Sequence, residues 1–178
     1  MHRAFSFRSA SRFVASRAAR SLFAGVVVLS IAPSLLARSA GAQGAPSEQA
    51  VIEYRQLLMS AVGYNMGAIG GILKNQLVLP GHVANHAQQM ADAAKLVAPA
   101  FKQKVSAGKT DARPEIWQDW AKFEKAIGDY EKAASDLARI AQGSDPAATG
   151  AAVKALGDSC TGCHDSFRKP KEQSYKNQ

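Results

Sequence analysis

The two cysteines of this 178-residue chain stand together with a histidine in Cys160-Thr161-Gly162-Cys163-His164. Covalent attachment of haem c needs that order: two thiols add across the two vinyl groups, and the adjacent imidazole reaches the iron from the proximal side. On a helix, Cys160 and His164 are four residues apart with Cys163 between them, so all three project to one side. Three other chemistries use paired cysteines. A redox dithiol belongs to a strand-helix-strand pattern, and no strand pattern surrounds this motif. A closed zinc site needs a fourth ligand, and His82 and His86 come from a distant segment. A disulfide across so short a loop closes little chain and stabilises little. The motif therefore predicts one covalently attached haem c, held by Cys160 and Cys163 and ligated by His164.

The elements that must position the motif are helices. After residue 45 the apolar residues recur at spacings of three and four, with no clear alternation. A first helix is expected from about Ser47, its N-cap, to Lys74, with Ile52, Arg55, Met59, Val62, Met66, Ile69 and Leu73 inward. A second runs from about His82 to Phe101 over Val83, Ala87, Met90, Ala94, Val97 and Phe101, and Pro99 should kink or end it. The connection 106–114 leads to a third, with Trp117, Trp120, Phe123, Ile127, Tyr130, Ala134, Leu137 and Ala141 inward. The fourth starts with Asp145 as N-cap and Pro146 as first residue, turns Val153, Leu156, Cys160, Cys163 and Phe167 inward, and ends by Pro170. Lys169, Lys171 and Lys176 read as solvated charges that suit a helix C-terminus. The fold class is all-α: an antiparallel four-helix bundle, one domain, with the haem between facing helices.

Charge and targeting agree with this reading. The formal net charge is +8, but it is unevenly spread. Residues 1–42 hold Arg3, Arg8, Arg12, Arg17, Arg20 and Arg38 and no acid, leaving 16 basic and 14 acidic residues in the remainder. A near-neutral remainder argues against nucleic acid as a partner. The leader has the three parts of a secretory signal: an arginine-rich start, an apolar stretch from Leu22 to Leu36, and the small-residue run Ser39-Ala40-Gly41-Ala42. The apolar stretch is short for a spanning helix and is broken by Pro33. Cleavage after Ala42 would leave residues 43–178 as the bundle, exported to the periplasm with no stable membrane association. Haem c is attached outside the bacterial cytoplasm, so leader and motif support each other.

With these features in place, the chain resembles the class II c-type cytochromes, the cytochrome c′ family. These are four-helix bundles with the haem motif near the C-terminus. The resemblance rests on Tyr54-Arg55-Gln56, on Arg113-Pro114-Glu115-Ile116-Trp117, and above all on Cys160 to Arg168. It implies that Arg55 and Gln56 lie near a haem propionate and that Arg168 flanks the proximal face, where a guanidinium can offset the desolvation of a carboxylate.

It also implies that the residue four positions after Arg55, here Met59, covers the distal face of the iron. Two readings stay open. In one, His164 is the only protein axial ligand, and the haem exchanges single electrons and admits nitric oxide or carbon monoxide, with no substrate turned over. In the other, Met59 closes the iron and the protein is a dedicated electron carrier that docks transiently on redox partners. A haem subunit of a larger redox complex is a third possibility, which would call for a large exposed apolar face. His82 and His86 read as surface residues. Family members often pair through their first two helices, and Gly63, Gly67, Gly70 and Gly71 would permit a homodimer without requiring one.

Overall fold

A computed structural model describes residues 46–177; the arginine-rich leader and the cleavage position expected after Ala42 lie outside the described residues. Helix α1 spans Glu48–Lys74, α2 His82–Phe101, α3 Glu115–Gln118, α4 Trp120–Ile140 and α5 Pro146–Phe167, and two 3₁₀ turns follow at Lys171–Gln173 and Tyr175–Asn177. The starts of the long helices follow from local chemistry. Ser47 accepts from the Ala50 N–H to cap α1. Asp145 accepts from Ala147 and Ala148 to cap α5, with Pro146 where its missing N–H costs nothing. Gly81, at φ 77°, makes the left-handed turn into α2.

The helix expected to run unbroken from Trp117 to Ala141 is two helices. Asp119 sits at φ −129° and ψ 69°, outside helical space, and its side chain accepts from Lys122 N–H to cap α4. Short polar side chains compete with the backbone in this way. The break turns Trp117 so that its indole N–H donates to the Phe101 carbonyl at 2.7 Å. Helix α5 stops at Phe167 rather than Pro170, because Arg168 is extended (φ −114°, ψ 142°). It pairs as an antiparallel bridge with Ala112. Arg113 N–H donates to Phe167 O, and Lys169 N–H to Asp111 O. Lys169 is consequently not a solvated charge: it is half-buried, and its ammonium donates to the Thr110 carbonyl at 2.9 Å. Pro99 lies within α2, which continues two residues past it to Phe101.

The four long helices pack in the order α1, α2, α4, α5, each against the next, while no Cα of α1 comes within 8 Å of one in α5. This explains how the buried face of α1 departs from expectation. Ile52, Arg55 and Ile69 are buried as expected, together with Leu58 and Ile72. Val62, Met59 and Met66 are half-buried and Leu73 is exposed. Packing against α2 alone rotates the buried stripe toward that neighbour and leaves Met59 and Met66 along the edge that faces α5. Helix α2 packs between α1 and α4, so Ala84 and Ala91 join its buried stripe.

Two apolar clusters fill the bundle. One gathers Ile69, Ala87, Met90, Ala94, Tyr130, Ala134, Leu137 and Leu156, with the Tyr130 hydroxyl donating to the Met90 carbonyl at 2.8 Å. At the other end, Leu58, Val97, Phe101, Ile116, Phe123, Ile127 and Phe167 form a more aromatic cluster. Phe123 is its hub, with ring centroids of Phe101 and Phe167 at 5.3 and 5.2 Å in edge-on geometry.

Candidate functional site

The gap between α1 and α5 is closed at one end by Met66, whose Cε stands 4.0 Å from where a Cβ on Gly157 would be. At the aromatic end it opens into a cavity of about 380 Å³, within the size range of small-molecule and cofactor sites. Cys163, His164 and Phe167 line it from α5; Arg55, Gln56, Met59, Ser60 and Gly63 line it from α1. Val97 and Phe101 come from α2, and Phe123 from α4. The walls are apolar and the rim is polar, which suits a flat apolar ring system carrying carboxylates at its edge.

Of the residues expected from sequence, six line this one cavity: Arg55, Gln56, Met59, Cys163, His164 and Arg168. Cys160 does not. It is half-buried one turn further back, against the cluster around Leu156. The two sulfurs are not joined to each other in a disulfide. Burial, and secondarily the neighbouring Cys160, pushes the Cys163 thiol up to about 11. Burial also raises that of Cys160. At His164, burial and then the Arg168 charge lower the imidazole pKa, against a smaller opposing effect of Asp165. The shift favours the neutral imidazole, the form with a lone pair for a metal.

Arg55 is only 3% exposed. Its Nε donates to Ala100 O at 2.9 Å, Nη1 to Val105 O at 2.9 Å and Nη2 to Gln103 O, where the last carbonyls of α2 and its following loop lack partners of their own. One N–H remains on each of Nη1 and Nη2. Desolvation lowers its pKa. Gln56 donates to Lys109 O at 2.7 Å. Arg168 is half-exposed, its Nε 3.9 Å from Asp111 Oδ2. The motif Arg113 to Trp117 acts on the site from behind: Arg113 N–H holds the end of α5, and Ile116 is buried beside Phe123. His82 is exposed, as expected; His86 is half-buried, with Nδ1 2.7 Å from Asn65 Oδ1, and is not a plain surface residue.

Three further cavity residues, Thr110, Asp111 and Tyr175, carry no signal in the sequence, and Lys176, read there as a solvated charge, is exposed at the cavity rim. They sit in a loop and a tail without periodicity, which the bridge between Ala112 and Arg168 and the hydrogen bonds of Ser174 and Tyr175 to Asp111 bring to the rim.

The sequence pattern of the family described as Cytochrome C′ matches residues 50–168. Cytochrome c′ of Rhodospirillum rubrum is 38% identical over 120 residues, 67% of this chain and 82% of that protein. Among solved structures, cytochrome c prime from Shewanella frigidimarina superposes with a TM-score of 0.65 at 31% identity, covering 71% of this chain and 99% of the other. A nitric oxide complex of a mutant cytochrome c prime from Alcaligenes xylosoxidans gives 0.64 at 26% identity, with 71% and 99% covered. By sequence and by fold, the chain belongs to the cytochrome c′ family, whose members are four-helix bundles carrying covalently bound haem c.

Proposed function

We propose that this is an exported, single-haem cytochrome c′ of the periplasm in which Cys160 and Cys163 hold the haem, His164 is its proximal ligand, and the other axial position is open. It would exchange single electrons with transient protein partners and bind nitric oxide or carbon monoxide, without turning over a substrate. One observation carries the reading: a single apolar cavity between α1 and α5 with Cys163 and His164 on one wall and Met59 on the other. The bound group supplies one-electron redox chemistry and a metal that small gases can ligate.

The chain's own residues would do the rest. His164, whose surroundings favour the neutral imidazole, offers its lone pair. Phe101, Phe123 and Phe167 exclude water, and Arg55 and Gln56 bring donors to the rim beside a propionate, with Arg168 flanking the proximal side. Met59 narrows the far wall. Support for gas binding is that one solved relative is a nitric oxide complex. Among the described residues no helix is long and apolar enough to cross a membrane.

A second reading has a specific observation behind it. Met59 lines the same cavity as His164 from the opposite helix, so its thioether could close the iron. The optical spectrum decides. A broad high-spin spectrum that shifts with carbon monoxide supports the open site. Sharp low-spin bands indifferent to the gas, lost on Met59→Ala, support the electron carrier.

Homodimerisation is proposed on the outer face of α1, where Leu57 and Tyr64 are 69% and 79% exposed. Gly67 and Gly71 have nothing within 4 Å of an added Cβ and permit close approach there.

A further inference from the structure

We propose that Lys176 is a cofactor-binding residue, the countercharge of one haem carboxylate, and that the C-terminal tail is the device that holds it at the cavity. The inference rests on the haem reading above. The family pattern matches residues 50–168, and the tail follows that match. It is tied down. The Ser174 hydroxyl donates to Asp111 Oδ2 and the Tyr175 N–H to Asp111 Oδ1, each at 2.9 Å. Ser174 is 5% exposed. Within the tail, Gln173, Ser174 and Asn177 close successive turns onto Pro170, Lys171 and Ser174. The result places Tyr175 and Lys176 on the cavity rim, next to Asp111.

Charge explains what this arrangement does. Asp111 is an acid on the rim, and its carboxylate is only 12% exposed. Left bare, it would repel the haem carboxylates that must lie at a polar rim. The tail satisfies both of its oxygens and adds a cation beside it. Three cationic side chains line the cavity: Arg55, Arg168 and Lys176. Arg55 already donates to three carbonyls, and Arg168 stands 3.9 Å from Asp111. Among the described residues, no carboxylate oxygen lies within 4.0 Å of the Lys176 ammonium, which rests 5.9 Å from the Tyr175 ring centroid. A haem has two carboxylates. Arg55 and Gln56 can serve one, and Lys176 is the uncommitted cation for the other.

The test is redox titration of the haem-loaded protein, each sample first checked for covalent haem by its alkaline pyridine spectrum. A cation near the ring disfavours the oxidised, more positive centre. Lys176→Gln should therefore lower the midpoint potential, Lys176→Glu should lower it further, and Lys176→Arg should leave it near that of the parent. Deleting residues 174–178 should lower it at least as far as Lys176→Gln. Lys125→Gln, which removes a charge from the outer face of α4, should not move it. Potentials indifferent to both Lys176→Gln and Lys176→Glu, with haem attached, would overturn this proposal alone. A parent protein without covalent haem would overturn the haem reading as well.

Discussion

The guanidinium of Arg55 lies over the ring of Phe101, its central carbon 4.4 Å from the ring centroid, while Nε donates to the carbonyl of the preceding Ala100. A buried cation thus joins α1 to the end of α2 by stacking and by hydrogen bonds at once, and Trp117 flanks it at 5.4 Å. Arg55→Leu removes the donors and leaves the carbonyls of Ala100, Gln103 and Val105 without them. Leaving a buried acceptor unpaired costs about 1–3 kcal/mol, and partial solvation of the loop will reduce the sum. A loss of about 3 kcal/mol is expected from the shift in denaturant midpoint, with Arg55→Lys recovering only part. A change below about 1 kcal/mol would mean that these contacts are not what holds the two helices together.

Covalent attachment is tested without any assumption about the iron. Protein expressed with haem-maturation machinery should keep haem through a denaturing gel. Cys160→Ala combined with Cys163→Ala should lose it entirely, whereas either single change should leave one thioether and a displaced absorption band. Haem that stays bound to the double variant under denaturing conditions would exclude the two cysteines as the attachment points.

Much of this site was legible in the sequence because its parts are local. Cys160 to His164 fit one helical turn, Asp145 and Pro146 announce the start of α5, and Arg55 with Met59 share an edge of α1. What stayed hidden depends on tertiary structure. Leu58 replaces Met59 in the buried stripe because α1 packs on α2 and not on α5. Lys169 is half-buried because an extended pairing at Ala112 and Arg168 draws it onto Thr110. Asp111 meets Ser174 only through a contact 63 residues apart in sequence, which no pattern within a window can register.

Asp119 offers a direct test of the unexpected break between α3 and α4. Its side chain caps α4 by accepting from Lys122 N–H at 3.1 Å. Asp119→Ala should cost about 1 kcal/mol, the ordinary value of an N-cap, while Asp119→Asn and Asp119→Ser should cost a few tenths. Thermal unfolding ranks them. An alanine variant as stable as the parent would show that the break is fixed by Trp117 and its bond to Phe101 instead.

The two ends of the gap between α1 and α5 should respond oppositely to added volume. At the closed end, an added methyl on Gly157 would meet Met66 Cε at 4.0 Å, an ordinary contact. Gly157→Ala should therefore gain about 0.5–1 kcal/mol, since it removes glycine's backbone freedom from a helix interior. Gly63 lies on the cavity wall, with nothing within 4 Å of an added Cβ, so a side chain can leave the backbone there without a clash. Gly63→Phe should accordingly fold, with a helical circular dichroism spectrum like that of the parent, yet place its ring where the haem must lie. Its haem content, measured per polypeptide, should drop several-fold while that of Gly157→Ala is unchanged. A Gly63→Phe protein fully loaded with haem would show that the ring system sits elsewhere, away from the α1 wall that carries Met59.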